Sequence, residues 1–204
     1  MINLRSGNIF CLVDLEVISQ EGSLEHQWRR KNDFPEIIEI GALKLIYKNN
    51  SFLEKAELLT AVKPKLHKTI PKYILNLTKK KTAYFHAGTD LKNALLKLNE
   101  FCSDSIYNFS NGVDGEIIQL NKTKFNLSLK TPKILNIAEF LKLNNNEKSI
   151  NSHSALEDCK IVLQKFKCAI KNKRISNNKI ALKETTYSPL NSNLILEYYE
   201  NENN

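Results

Sequence analysis

Two acidic residues near the start of the chain are the first side chains whose types and spacing could do chemistry. Asp14 and Glu16 follow the apolar stretch Ile9 to Val13. Residues two apart on a β-strand point to the same face, so both carboxylates would lie side by side. Such a pair at the end of a buried strand repels itself and loses hydration, and a hard divalent cation offsets both costs. A strand end that reaches water would accommodate the same pair.

Three later residues could bring further functional groups to the same cleft. Asp158 lies at the edge of the apolar stripe of a helix predicted over 155–170, and His153 stands just before that helix. Asp114 follows a predicted strand, and Asp104 before that strand competes with it. Each also has an ordinary structural interpretation, because acids in a first helical turn favour the positive helix N-terminus. A histidine in such a loop is commonly a surface residue.

Taken together and in this order, these residues resemble the DnaQ-like, DEDDh-type 3′-5′ exonucleases, a family marked by four acids and one histidine. The matching positions are Asp14, Glu16, Asp114 and Asp158, with His153 in the segment His153-Ser-Ala-Leu-Glu-Asp158. Three further segments resemble the Eri/KapD-type branch of that family, and the resemblance covers about residues 8–170. These segments are Asp33-Phe-Pro-Glu-Ile-Ile-Glu-Ile-Gly-Ala42, Val62-Lys-Pro64 and Ile70-Pro-x-Tyr…Leu77-Thr78.

The resemblance implies a two-metal-ion phosphodiester hydrolase that releases nucleoside monophosphates from 3′ ends. Asp14, Glu16 and Asp158 are implied to bind one Mg²⁺, and Asp14 with Asp114 a second, with Mn²⁺ as a substitute. His153 is implied to be the general base, since its pKa near neutrality suits removal of a proton from water. All five residues are therefore expected to be catalytic.

The resemblance also implies the substrate and its contacts. Leu15 is expected to stack on the last base, and Val17 occupies the position of a Thr that helps seat the terminal nucleotide in the family. Relatives of the Eri type favour RNA, so single-stranded RNA 3′ ends are expected over DNA. Lys79-Lys-Lys81 replaces small and aliphatic residues after Leu77-Thr78, and we expect weaker packing there.

The intact set of acids does not by itself exclude two other functions. One alternative is a catalytically inactive nucleic-acid-binding or interaction module that retains the exonuclease fold. The other is a metal-dependent phosphoesterase that acts on nucleotides or short oligonucleotides. Shortening of long substrates would distinguish these alternatives from an exonuclease.

The elements that must position these residues predict an α/β fold: a ribonuclease H-like mixed β-sheet flanked by α-helices. A first strand that is apolar on both faces should be central and covered on both sides. The strands are predicted at 8–17, 37–47, 52–62 and 105–110, with a turn at Asn49-Asn50. The helices are predicted at 70–77, 89–102, after Gly112, at 134–143 and at 155–170.

Composition favours one globular domain. The chain has 204 residues, 42% of them hydrophobic and 25% charged, which is ordinary for a protein with a packed core. We expect an exonuclease domain over 1–174 and a polar C-terminal extension over 175–204, which is a candidate surface for a protein partner. No run reaches the roughly 18 apolar residues of a membrane span, so a cytoplasmic protein without membrane contact is expected. The four cysteines lack C-x-x-C spacing and are predicted to be reduced core thiols.

The basic excess is concentrated in one segment. The formal net charge is +8, and residues 61–100 hold nine basic and two acidic side chains. Such a local positive field attracts polyanions, with an affinity that falls steeply with salt. A solvated lysine-rich surface would give the same count. We therefore take 61–100 and Arg29-Arg30-Lys31 as candidates for contact with a phosphate backbone.

Overall fold

The computed structural model describes residues 2–23, 25–30, 33–142, 153–171, 179–180 and 195. The strands are β1 (Ile2–Asn3), β2 (Ile9–Val17), β3 (Ile37–Lys48), β4 (Ser51–Ala61), β5 (Tyr107–Ser110), β6 (Ile134–Asn136) and β7 (Lys179–Ile180). The helices are α1 (Lys72–Thr78), α2 (Thr82–His86), α3 (Leu91–Phe101), α4 (Asp114–Lys124), α5 (Ala138–Lys142) and α6 (Ala155–Lys171). Among the described residues, none of the helices has the length and apolar character needed to cross a membrane.

A mixed five-stranded sheet has β2 at its centre. The strand order is β4-β3-β2-β5-β6: β3 pairs antiparallel with both β4 and β2, whereas β5 pairs in parallel with both β2 and β6. The hairpin between β3 and β4 closes through Asn49 and Asn50, whose φ angles of 51° and 56° suit a tight two-residue turn. The predicted central strand and this turn are confirmed.

Both faces of β2 are buried, which explains its apolar sequence. Cys11 and Val13 pack with side chains of α3 and α4, whereas Phe10 and Leu12 pack with side chains of α6. Aromatic rings pack in the layer between the sheet and α6. The ring centroids of Phe10 and Phe52 lie 5.3 Å apart, and those of Phe52 and Phe166 lie 5.2 Å apart. Edge-to-face pairs of this kind stabilise a core beyond the area that they bury. The sheet is thus flanked by helices on both sides, as predicted.

The helix predicted over 134–143 is wrong in its first half. Residues Ile134–Asn136 form β6, which pairs with β5, and the helix α5 begins only at Ala138. A short apolar run does not distinguish strand from helix by periodicity, and a neighbouring strand edge decided between them here. Asn136 then accepts a hydrogen bond from the backbone N–H of Ala138, 2.9 Å away, and so begins the helix.

One helix was not predicted, one prediction needs correction, and one lies mostly outside the described residues. Helix α2 was not predicted, because its five residues are too short for a clear period. Cys11, Cys102 and Cys159 are buried, but Cys168 is exposed, so the prediction of four core thiols is wrong for that residue. The predicted boundary at 174/175 and most of the extension lie outside the described residues, although Ile195 is buried in the main core.

Helix α6 lies directly on the backbone of β3. Gly41 pairs with Asp14 across the two strands, and a Cβ at this glycine would stand 2.3 Å from the carbonyl carbon of Ala155. Real side chains never approach so closely, so only glycine lets the first turn of α6 reach the sheet at this point. The same approach brings the Sγ of Cys159 to 3.7 Å from the carbonyl oxygen of Gly41.

Replacing this glycine should separate helix and sheet. We expect Gly41→Ala to lower the free energy of unfolding by about 1–3 kcal/mol, as overpacking of a close contact does. Gly112→Ala is the matched control, because the nearest atom to its added methyl group is Asp114 Oδ2 at an ordinary 3.5 Å. Chemical denaturation of both variants measures the difference. Equal stabilities would contradict this account of the helix contact.

Candidate active site

Three carboxylates meet at the end of β2. Asp14 and Glu16 lie on the face of β2 that α6 covers, and Asp158 lies in the first turn of α6. One oxygen from each of these side chains lies within 4.8 Å of the other two, and all three residues are partly buried. The structure therefore brings together three of the acids that the sequence predicted.

Asp114 reaches the same place from the other layer of the sheet. It is the first residue of α4 and is buried, with its Oδ1 accepting a hydrogen bond from the backbone N–H of Leu15 at 3.1 Å. The parallel pairing of β5 with β2 places the start of α4 beside the end of β2. Its competitor Asp104 is exposed and pairs with Lys44 at 2.5 Å, remote from this chemistry. Asp114 is the acid that approaches the cluster.

Burial and mutual repulsion raise the pKa values of these acids. For Asp14, burial is the largest cause, followed by the charges of Asp114, Glu16 and Asp158. Burial, with the charges of Asp158 and Glu39, raises the pKa of Glu16 to about 8. Burial also raises the pKa of Asp114 to about 6, although hydrogen bonds from Ser110 and Leu15 oppose it. The cluster is therefore costly to ionise without positive charge nearby.

The donor set fits a hard divalent cation. All the converging atoms are carboxylate oxygens, which suit Mg²⁺ and Mn²⁺. A cation would offset both the repulsion and the lost hydration of these groups. Asp14, Glu16 and Asp158 are the residues that would hold it, and Asp114 lies close enough to influence the charge of Asp14.

His153 lies just before α6, the helix that carries Asp158. It precedes α6 by two residues, is partly exposed, and has a φ of 44°. A positive φ is uncommon outside glycine, and histidine is one of the residues that adopt it more readily. Its role as a general base stays a prediction.

The two residues predicted to contact the nucleotide, Leu15 and Val17, differ in burial. Leu15 is buried in the core shared with Trp28, and its backbone N–H holds Asp114. Val17 is partly buried and packs against the same core at the end of β2. Stacking of Leu15 on a base and contact of Val17 with a terminal nucleotide both stay predictions.

Sequence reasoning missed Glu39, a fully buried acid opposite Glu16 in the register of β2 and β3. Its Oε1 accepts from the backbone N–H of Ala155 at 3.2 Å, and its Oε2 accepts from the Tyr84 hydroxyl at 2.7 Å and from Lys80 Nζ. A charged residue inside the apolar segment Ile37 to Ala42 was the signal that could have found it.

Glu36, a buried acid just before β3, has a separate structural role. Its carboxylate accepts hydrogen bonds from the backbone N–H groups of Lys65, Leu66 and His67, and its Oε2 lies 2.8 Å from His67 Nδ1. Burial raises the pKa of Glu36, but these hydrogen bonds outweigh it and leave the pKa below its ordinary value. Glu36 therefore fixes the segment after β4, where the basic region begins.

The mixed sheet and its converging carboxylates suit a hydrolase of the nuclease class. A sequence profile of the Exonuclease family (RNase T type) matches residues 12–166. The chain therefore belongs to this exonuclease family, within the DEDD-type superfamily, and its membership supports nuclease activity. No curated protein shows significant sequence similarity to it.

Solved structures confirm the ribonuclease H-like fold at low identity. A full-length 3′-exonuclease is similar with a TM-score of 0.67 and 13% identity, over 90% of this chain and 94% of that one. Cell-death related nuclease 4 has a TM-score of 0.64 and 13% identity, over 81% and 64% of the two chains. E. coli exonuclease I in complex with a dT13 oligonucleotide has a TM-score of 0.58 and 9% identity, over 82% of this chain and 42% of that one.

The raised pKa of Glu16 predicts how the metal-free protein responds to pH. Its folded pKa of about 8 exceeds the ordinary 4.5, so the folded state binds the proton more tightly than the unfolded state. The stabilisation that protonated Glu16 contributes is fully present below its pKa in the unfolded state. This stabilisation is lost as the pH rises toward about 8, the pKa of Glu16 in the folded state. We expect the melting temperature in chelator to fall between these pH values, and Glu16→Gln to flatten the decline.

Glu157→Gln is the control, since Glu157 is an exposed acid on α6 that pairs with Lys160 at 3.1 Å. Added Mn²⁺ should raise the melting temperature of wild type and of Glu157→Gln at alkaline pH, but that of Glu16→Gln far less. A pH profile of Glu16→Gln identical to that of wild type would contradict the assigned electrostatics.

Proposed function

We propose that this chain is a divalent-metal-dependent 3′-5′ exonuclease of the Eri/KapD type that releases nucleoside monophosphates and favours RNA over DNA. The convergence of Asp14, Glu16 and Asp158 within 4.8 Å is the observation that carries the proposal. Membership of the exonuclease family supports it, since the matched residues 12–166 include the whole cluster.

Each side chain has a proposed task in the reaction. Asp14, Glu16 and Asp158 would hold one Mg²⁺, and Asp14 with Asp114 would hold a second. Bound divalent cations supply Lewis acidity, which lowers the pKa of water and neutralises charge on the phosphodiester. His153, which is partly exposed and two residues before the helix that carries Asp158, would accept the proton from the attacking water.

The proposed substrate is a single-stranded 3′ end. One similar structure shows 3′-end specific recognition of a histone mRNA stem-loop by a 3′-exonuclease, and another holds a dT13 oligonucleotide. The preference for RNA rests on the Eri-type segments of the sequence. The basic segment 61–100 is proposed to track the phosphate backbone, and the extension beyond residue 174 to bind a protein partner.

Product analysis on labelled oligonucleotides tests the direction of the reaction. Purified protein with Mg²⁺ or Mn²⁺ should shorten 5′-labelled single-stranded RNA progressively from its 3′ end, and DNA of the same sequence more slowly. Asp14→Asn and chelator should each abolish shortening, because the cation then lacks its shared ligand or is removed. Asp104→Asn, which changes an exposed acid, should keep full activity. Internal fragments, or activity that survives Asp14→Asn, would overturn the proposal.

A second variant tests the proton acceptor. We expect His153→Asn to lower kcat by about 10²–10⁴-fold, the range that general bases contribute, while Mn²⁺ affinity stays unchanged. Asn tolerates the left-handed backbone of position 153, so the fold should be kept. His26→Asn, at an exposed position, is the control. Steady-state kinetics with Mn²⁺ titration measures both values, and an unchanged kcat would remove His153 from the mechanism.

The basic segment favours one alternative, an inactive nucleic-acid-binding module with the same fold. That module would bind labelled RNA with the steep salt dependence of a phosphate interface. It would leave the RNA intact with either metal. The shortening assay therefore decides between the two functions.

A further inference from the structure

Glu39 is held by groups from three parts of the chain that are distant in sequence. Lys80 lies between α1 and α2, Tyr84 lies in α2, and Ala155 begins α6. All three donate hydrogen bonds to the one carboxylate, which has no exposed surface. A buried carboxylate with this many donors is fixed in one orientation.

Lys80 supplies the positive charge that this carboxylate requires. Its side chain is only 19% exposed, and its Nζ forms an ion pair with Glu39 and lies 4.5 Å from the centre of the Tyr84 ring. Lys79 has a left-handed φ of 56° at the end of α1, and this turn directs the chain so that Lys80 points inward. The lysine expected to weaken packing is thus paired, whereas Lys79 and Lys81 on either side are exposed.

The carboxylate of Glu39 connects this ion pair to the proposed metal site. On one side, Glu39 lies opposite Glu16 in the pairing of β2 with β3. On the other side, it accepts from the first backbone N–H of α6, one helical turn before Asp158. The cation needs Glu16 and Asp158 at a fixed separation, and Glu39 contacts the elements that carry both.

We propose that Lys80 is a positioning residue: through Glu39, and together with Tyr84, it fixes the first turn of α6 against β3 and so sets the separation of Asp158 from Glu16. Lys80 itself touches neither the cation nor the substrate in this role. The inference rests on the proposed function for its catalytic meaning. The effect of Lys80 on the separation of the two carboxylates, however, is measured as cation affinity, which needs no turnover of substrate.

Mn²⁺ titration of the full-length chain by calorimetry tests this role. We expect Lys80→Met to weaken Mn²⁺ binding by about 10–100-fold, the usual effect of losing a group that orients a metal ligand. Lys80→Arg should restore the affinity to about that of wild type, because it keeps the charge and can donate to Glu39. Lys81→Met is the matched control: it removes an equal charge from an exposed neighbour and should bind Mn²⁺ like wild type.

Steady-state kinetics distinguish a positioning role of Lys80 from a direct contact between Lys80 and RNA. With saturating Mn²⁺ and labelled single-stranded RNA, Lys80→Met should lower kcat and leave KM near the wild-type value. A rise in KM alone, shared by Lys81→Met, would show a phosphate contact and overturn the proposal. Wild-type Mn²⁺ affinity in Lys80→Met would overturn it as well, as would a loss that Lys80→Arg does not restore.

A second variant keeps the test decisive if Lys80→Met fails to fold. Tyr84→Phe removes one hydrogen bond to Glu39 and keeps the ion pair, so it should weaken Mn²⁺ binding by a smaller factor; unchanged affinity would count against the proposal. If wild type binds Mn²⁺ but shortens no RNA, the proposed function fails and the positioning role is judged on affinity alone. If wild type binds no Mn²⁺, both fail.

Discussion

Repulsion among carboxylates at the end of one strand is the constraint on which the rest of the structure depends. Asp14, Glu16 and Asp158 lie within 4.8 Å of one another, and burial adds to the cost of their charges. A chain that gained nothing from this arrangement would separate such groups or pair each with a cation. The fold instead holds them together from two directions, through β2 and α6.

The sheet topology makes that convergence possible. Because β2 is central, its end is enclosed by the layer of α6 on one face and by the start of α4 on the other. The glycine at position 41 lets α6 approach the backbone of β3, and Glu39 holds the first N–H of that helix two residues away along the strand. The positions of the acids follow from these contacts, and the same contacts limit how far the acids can relax apart.

Much of the fold was predictable because its signals are local. The doubly apolar β2, the Asn49-Asn50 turn and the periodic α6 each depend on neighbouring residues, and each was predicted close to its observed bounds. Asp14, Glu16, Asp114 and Asp158 were found because their order resembles a family. The short β6 was missed because pairing with β5, which is not local, decides its structure.

The supporting network could not be predicted for the same reason. Glu39 and Lys80 are 41 residues apart, and neither has a spacing that indicates the other. Lys80 also lies in a run of three lysines, a pattern typical of a solvated surface, whereas its Nζ is turned toward a buried acid. Only the folded chain shows that one of the three differs from its neighbours.

The most direct test of the account is the anomalous scattering of manganese in crystals of the protein soaked in Mn²⁺. We expect a peak at about 2.0–2.2 Å from oxygens of Asp14, Glu16 and Asp158, the distance typical of small divalent cations. A peak elsewhere, or carboxylates that stay together with no metal between them, would contradict it.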